Sequence, residues 1–162
     1  NCPWPSAISC SEDRTMHLAQ QIEPHIHAES AADTVTLDYE SRFLRRKRLV
    51  TDNGEAFLVE LAETCSIDEG QGFRLDDGRV IAVCAAAEQL LLVQHDNLLR
   101  IAWHIGNRHT PCQMAADHLL IREDRVLQAM LEQLGASVTA VTAPFTPEGG
   151  AYGHGRTHGH AH

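Results

Sequence analysis

The chain has 162 residues and a formal charge of −9 at pH 7, with 13 Lys and Arg against 22 Asp and Glu. That balance argues against nucleic acid as a partner, because phosphate binding needs clustered Lys and Arg. Hydrophobic residues make up 43% but aromatics only 5%, so the core is aliphatic, and no apolar run approaches the ~20 residues of a membrane span.

Residues 1–15 carry Pro3, Pro5 and little periodicity; they are set aside as a loose arm or upstream sequence. His25 and His27 flank Ile26 in a segment expected to be solvated. From about Thr34 the pattern alternates, with Val35, Leu37 and Tyr39 on one side of a half-buried strand. Arg45-Arg46-Lys47-Arg48 falls on a second strand, as a solvated face or edge, or more sharply as a protein-docking patch. Asp52-Asn53-Gly54 supplies the positive-φ positions of a tight hairpin leading into Ala56–Leu61. Asp76-Asp77-Gly78 similarly divides Gly72–Leu75 from Arg79–Cys84, and Leu90–Val93 is a further apolar run. These short strands predict a small all-β domain over residues 16–93.

After Gln94 the period changes. Leu98, Leu99, Ala102, Trp103 and Ile105 follow helical spacing, with Asp96 or Asn97 as cap and Gly106-Asn107 as the end. Cys112–Met114 and Leu119–Ile121 read as strands around a turn at Ala116-Asp117. Val126, Leu127, Met130, Leu131 and Leu134 make the apolar face of a second helix that Gly135 terminates, and Ser137–Val141 closes the unit as a strand. The order resembles a ferredoxin-like split βαβ unit over 94–148. Pro144, Pro147 and Gly149-Gly150 release a tail over 149–162.

That tail holds His154, His158, His160 and His162, spaced by glycines rather than set in an unbroken run. Imidazole is largely neutral at cellular pH, so several of them on a flexible terminus make a chelating arm for nickel, copper or zinc. His109 follows a helix end in a polar context and reads as a metal ligand or as a capping or surface histidine. His104 reads as a partly buried structural residue; His17, His95 and His118 stand alone as surface or turn residues. Glu123 and Asp124 complement the second helix's dipole.

The five cysteines are odd in number and lack CxxC spacing, so neither a disulfide framework nor a zinc ribbon is indicated. Cys84 and Cys112 read as small core hydrophobes, and a reducing, cytoplasmic setting follows. Cys112, His109 and Asp117 do not make a nucleophilic triad, because nothing supplies an oxyanion hole. A GxxxxGK[ST] phosphate loop is also absent. No enzyme is expected.

Trp103-His-Ile-Gly-Asn-Arg-His109 is the most specific string; Leu120-Ile-Arg122, Leu131-Glu-Gln-Leu-Gly135 and Ala143-Pro-Phe-Thr-Pro-Glu-Gly-Gly-Ala-Tyr-Gly-His154 follow it. In this order they resemble the UreE family of urease accessory proteins, nickel metallochaperones, over about Met16 to His162. The resemblance implies a β-rich N-terminal domain with a peptide-docking role and a ferredoxin-like C-terminal domain that forms a symmetric homodimer. It implies that His109 from each subunit binds Ni(II) at the dimer interface, that His154, His158, His160 and His162 complete or extend the site, and that Cu(II) or Zn(II) compete. Delivery to a urease accessory GTPase and the apo-urease assembly complex is the implied role. Glu123 and Arg125 stand where some members carry extra histidines, so that peripheral site is not carried over. Two other readings stay open: a histidine-tailed metal buffer or sensor without a urease partner, and a peptide-binding module in which the tail is incidental.

Overall fold

A computed structural model describes residues 16–149. His154, His158, His160 and His162, with the rest of the expected tail after Gly149, and the arm over 1–15 lie outside the described residues.

The first half is β-rich. Its strands are β1 (His17–Glu23), β2 (Asp33–Leu37), β3 (Phe43–Val50), β4 (Ala56–Ser66), β5 (Gly72–Leu75) and β6 (Val80–Ala85). They form one mixed sheet in the order β2-β6-β5-β1-β4-β3. Both anticipated hairpins are present, β3–β4 and β5–β6, and their turns place Gly54 at φ +95° and Gly78 at φ +89°. Without a β-carbon, glycine adopts this left-handed region at little cost. Ala19, Phe57, Val59, Phe73 and Ile81 lie fully buried in the aliphatic core beneath the sheet.

Strand β1 precedes the strand that alternation marks as the first. It pairs parallel with β4 and antiparallel with β5, and its register slips between Ala19 and Gln21. A bulge of this kind breaks the period of two. Ala19 and Ile22 therefore both pack on the core, and the alternation that would announce a strand is lost. The basic run lies along β3, the outermost strand, with all four side chains exposed and Arg46 paired to Glu60 at 3.4 Å. This is the solvated edge that the pattern predicts.

The second half follows the order β7 (Ala87–Gln94), α1 (Leu98–Gly106), β8 (Gln113–Met114), β9 (Leu119–Arg122), α2 (Arg125–Gln133) and β10 (Ser137–Pro144). The sheet order is β10-β7-β9-β8, every pair antiparallel. Asn97 caps α1, accepting from the Arg100 N–H at 3.1 Å, and Asp124 caps α2, accepting from Val126 and Leu127 at 2.8 and 2.9 Å. Gly135 turns the chain at φ +89°. Leu127 and Leu131 are buried, whereas Val126 is 69% exposed and leaves the apolar face assigned to it.

The Leu90–Val93 run does not close the β domain. It is strand β7, and it pairs with β9 and β10 in the second sheet. The reason is burial on both sides. Leu91 and Val93 pack beneath the two helices with Ile101, Ile105, Leu127 and Leu131. Leu90 and Leu120 face the opposite way, into a second cluster built on Phe145 with Tyr39 packed against it. A strand covered on both faces reads as a continuous apolar run, and such a run carries no sign of the sheet it belongs to.

That second cluster joins the halves. Ala86 donates to the Leu37 carbonyl at 2.9 Å, the Tyr39 N–H donates to Glu88 at 2.8 Å, and Arg122 pairs with Glu40 at 2.9 Å. The buried Arg42 guanidinium donates from Nη2 to the carbonyl of Phe145.

Candidate metal centre

Helix α1 ends in one α-helical bond, Asn107 N–H to Trp103 at 3.0 Å, and two tighter ones, Arg108 N–H to Ile105 at 3.0 Å and His109 N–H to Gly106 at 2.9 Å. His109 is then set at φ +54°, the one non-glycine residue with positive φ among the described residues. Few side chains enter this region, though His does so more readily than most. His109 is exposed just beyond the helix end.

Two hollows meet at His109. One, of about 510 Å³, is lined with Glu88, Arg122, Glu123 and Asp124; the other, of about 240 Å³, with Tyr39, Cys112, Met114, Glu148 and Gly149. Glu123 and Asp124 are exposed, and Asp124 serves the α2 cap as the sequence suggests. The chain that leads to the tail is fixed beside His109, because the Glu148 N–H donates to the Cys112 carbonyl at 2.9 Å. Leu99, Trp103 and Met114 are 85%, 65% and 54% exposed. Leu99 and Trp103 stand one helical turn apart on α1, so they share a face.

His104 is half-buried, as expected, with its ring edge-on to Trp103 at 5.0 Å. His25 and His27 are exposed. His95 accepts from the Asn97 N–H at 2.8 Å, and His118 lies 2.7 Å from Asp117 in the β8–β9 turn. Cys112 is half-buried against the helical core, and burial, with Glu148 nearby, pushes its thiol up to about 11. It is a thiol and not a thiolate at neutral pH, and so a poor ligand for a borderline metal.

The sequence reading missed one constellation. His17 does not stand alone: its Nδ1 is 2.7 Å from Asp76 and its Nε2 is 3.5 Å from Asp77. The donor atoms of these three residues lie within 4.8 Å of one another, a set that could hold a metal ion. Arg79 already occupies part of it, from Nε to Asp77 at 2.6 Å and with two nitrogens on Glu55 at 2.6 and 2.8 Å. An ion there would have to compete with a guanidinium. The His17 bond holds the Asp76 carboxyl below its usual range; Arg79 does the same for Asp77, through its backbone N–H first, and for Glu55 through its guanidinium. The Asp76-Asp77-Gly78 turn was legible in the sequence, but its meeting with His17 depends on β1, which was not.

The chain matches the family model described as UreE urease accessory protein, N-terminal domain, over residues 16–86, and the corresponding C-terminal domain model over residues 85–162. It is 60% identical over 136 residues to the urease accessory protein UreE of Ruegeria pomeroyi, covering 84% of this chain and 91% of that protein. The UreE of Cereibacter sphaeroides is 60% identical over 132 residues, 82% of this chain and 72% of that protein. The UreE of Rhodobacter capsulatus is 54% identical over 147 residues, 91% of this chain and 94% of that protein. With both domain models matched end to end and these relatives covered over most of their length, the chain belongs to the UreE family of urease accessory proteins, a family of accessory proteins and not of catalysts.

Proposed function

We propose that the protein is a nickel metallochaperone that carries Ni(II) as a homodimer and hands it to the urease maturation machinery, a urease accessory GTPase together with the apo-urease assembly complex. The observation that carries the reading is His109, an exposed histidine at φ +54° that lines two adjoining hollows. It comes three residues after Gly106, the last residue of helix α1, whose Leu99 and Trp103 are exposed. A two-fold axis through that face would cover Leu99 and Trp103 and bring two His109 rings together, one from each subunit.

Two imidazoles leave Ni(II) under-coordinated, and the ion accepts further nitrogen or oxygen ligands in square-planar or octahedral arrangements. His154, His158, His160 and His162 are the proposed remainder. Gly149 lines the same hollow as His109, and the five residues on to His154 span at most ~18 Å, enough to reach the ion. Ligands that belong to neither sheet can leave one at a time, so the ion passes to a receiver by substitution without either sheet unfolding. Cu(II) and Zn(II) compete for the same imidazoles. The strand order β10-β7-β9-β8, with both helices on one face, supports a ferredoxin-like assignment for the second half. Among the described residues no helix is long and apolar enough to cross a membrane.

The test is titration calorimetry of nickel into the full chain and into His109→Ala, with circular dichroism as the control for folding. The tightest site disappears in the variant while the spectrum stays the same. Unchanged affinity overturns the reading.

A further inference from the structure

We propose that Arg42, in the first half of the chain, is a positioning residue for His109 in the second. The inference rests on the reading of His109 as the nickel ligand. Arg42 is 1% exposed, and its Nη2 donates to the Phe145 carbonyl. Its guanidinium carbon lies 5.8 Å from the Tyr39 ring centre, and that ring meets Phe145 edge-on at 5.4 Å. A buried cation persists only where such partners are supplied.

What it grips is the root of a strap. After Phe145 the chain runs over the His109 loop and is tied to it twice. The Thr146 N–H donates to Gln113 Oε1 at 2.9 Å, and the Glu148 N–H donates to the Cys112 carbonyl at 2.9 Å. The loop from His109 to Gln113 is therefore held at one end by the last turn of α1 and at the other by the strap. Pro111 between them fixes its own φ and leaves the loop few alternatives. A histidine at φ +54° is a strained conformer, and it persists only while its surroundings over-determine it. Tyr39 also packs against the cluster of Phe145, Leu90 and Leu120, a join between the halves that does not need the Arg42 bond. The guanidinium adds direction: it bonds the carbonyl from which the strap departs.

The experiment uses the full-length chain, with nickel calorimetry and amide hydrogen exchange on Arg42→Met, Arg42→Lys, Gln113→Leu and the Arg42→Met/Gln113→Leu pair. Arg42→Met weakens nickel binding about tenfold, the range seen when the support of a metal ligand is lost. It speeds exchange at His109, Thr110 and Cys112 while the amides of β7 keep their protection. Gln113→Leu, which cuts one tie at the far end, weakens nickel binding in the same way. The double variant is no weaker than Arg42→Met, because both changes sever one linkage. Arg42→Lys, which retains a donor, recovers most of the affinity. A folded Arg42→Met variant with unaltered affinity and unaltered loop exchange overturns the proposal, and so does exchange that rises equally in β7. Should Arg42→Met fail to fold, Gln113→Leu with normal affinity and loop exchange overturns it instead. If His109→Ala leaves nickel affinity intact, the nickel reading fails, while loop exchange in Arg42→Met still decides whether Arg42 fixes the loop.

Discussion

Arg79 lays two guanidinium nitrogens on the two carboxylate oxygens of Glu55, at 2.6 and 2.8 Å, and so ties the β5–β6 turn to the start of β4. The same guanidinium reaches Asp77, and His17 bridges from Asp77 to Asp76. Five residues from three separate strand ends thus share one charge network on the first sheet.

The network gives stability a definite dependence on acid. Glu55, Asp76 and Asp77 all have folded pKa values below their usual 4.5, 3.8 and 3.8. A group depressed in this way contributes fully above its unfolded value, and that contribution is lost as pH falls through the folded one. Urea midpoints are therefore expected to be flat on this account above about pH 5 and to drop below about pH 4. Glu55→Gln and Asp77→Asn make the drop shallower. A pH profile identical in parent and variants would show that the network contributes nothing, as happens with many exposed ion pairs.

Truncation of the helical core separates buried from exposed positions on α2. Leu131→Ala and Leu127→Ala are each expected to cost about 2–5 kcal/mol, the range for a buried Leu that leaves a cavity. Val126→Ala, at a position 69% exposed, is expected to stay within about 0.5 kcal/mol of the parent. Chemical denaturation of the three variants measures the contrast, and equal losses would contradict the burial described for α2.

A charge on the outer face of α1 is expected to break the proposed homodimer. Trp103→Glu and Leu99→Glu halve the mass seen by light scattering at micromolar concentration and leave the far-ultraviolet dichroism unchanged. They also weaken nickel binding, because a monomer offers a single His109. A variant that stays dimeric moves the interface away from α1.

Acid is expected to release the ion. A proton competes with nickel for the imidazole lone pair, and free histidine titrates near ~6.5. Equilibrium dialysis should show occupancy falling steeply below about pH 6, with more than one proton taken up per ion lost. Cys112→Ser should leave that curve unmoved, since burial keeps the thiol protonated up to about 11. Full occupancy at pH 4.5 would assign the ion to carboxylates, the His17, Asp76 and Asp77 group being the first to test.

What could be read in the chain was whatever local chemistry determines. Asn53-Gly54 and Asp77-Gly78 announced their hairpins because the turn geometry needs those residues. Asn97, Asp124 and Gly135 bounded the helices for similar reasons, and the Trp103 to His109 string carried the family. Three things depended on partners far along the sequence. The bulge at Ala19 and Gln21 hid β1, and with it the company His17 keeps. Double burial hid the allegiance of Leu90–Val93. Arg42 gave no signal in the sequence, because nothing within several residues of it shows that Phe145 accepts its bond.

Strand β7 has one further consequence. Leu91 and Val93 belong to the helical side of the second sheet, while Leu90 presses on Phe145 where Tyr39 arrives from the first half. In sequence the two family segments are separate matches that divide at residues 85 and 86. A ribosome cannot finish them separately. When β7 emerges it has neither β9 nor β10 to pair with, and Tyr39 waits for a phenylalanine more than a hundred residues downstream. The nascent first half must therefore leave Tyr39 without its Phe145 partner until nearly the whole described chain has been made.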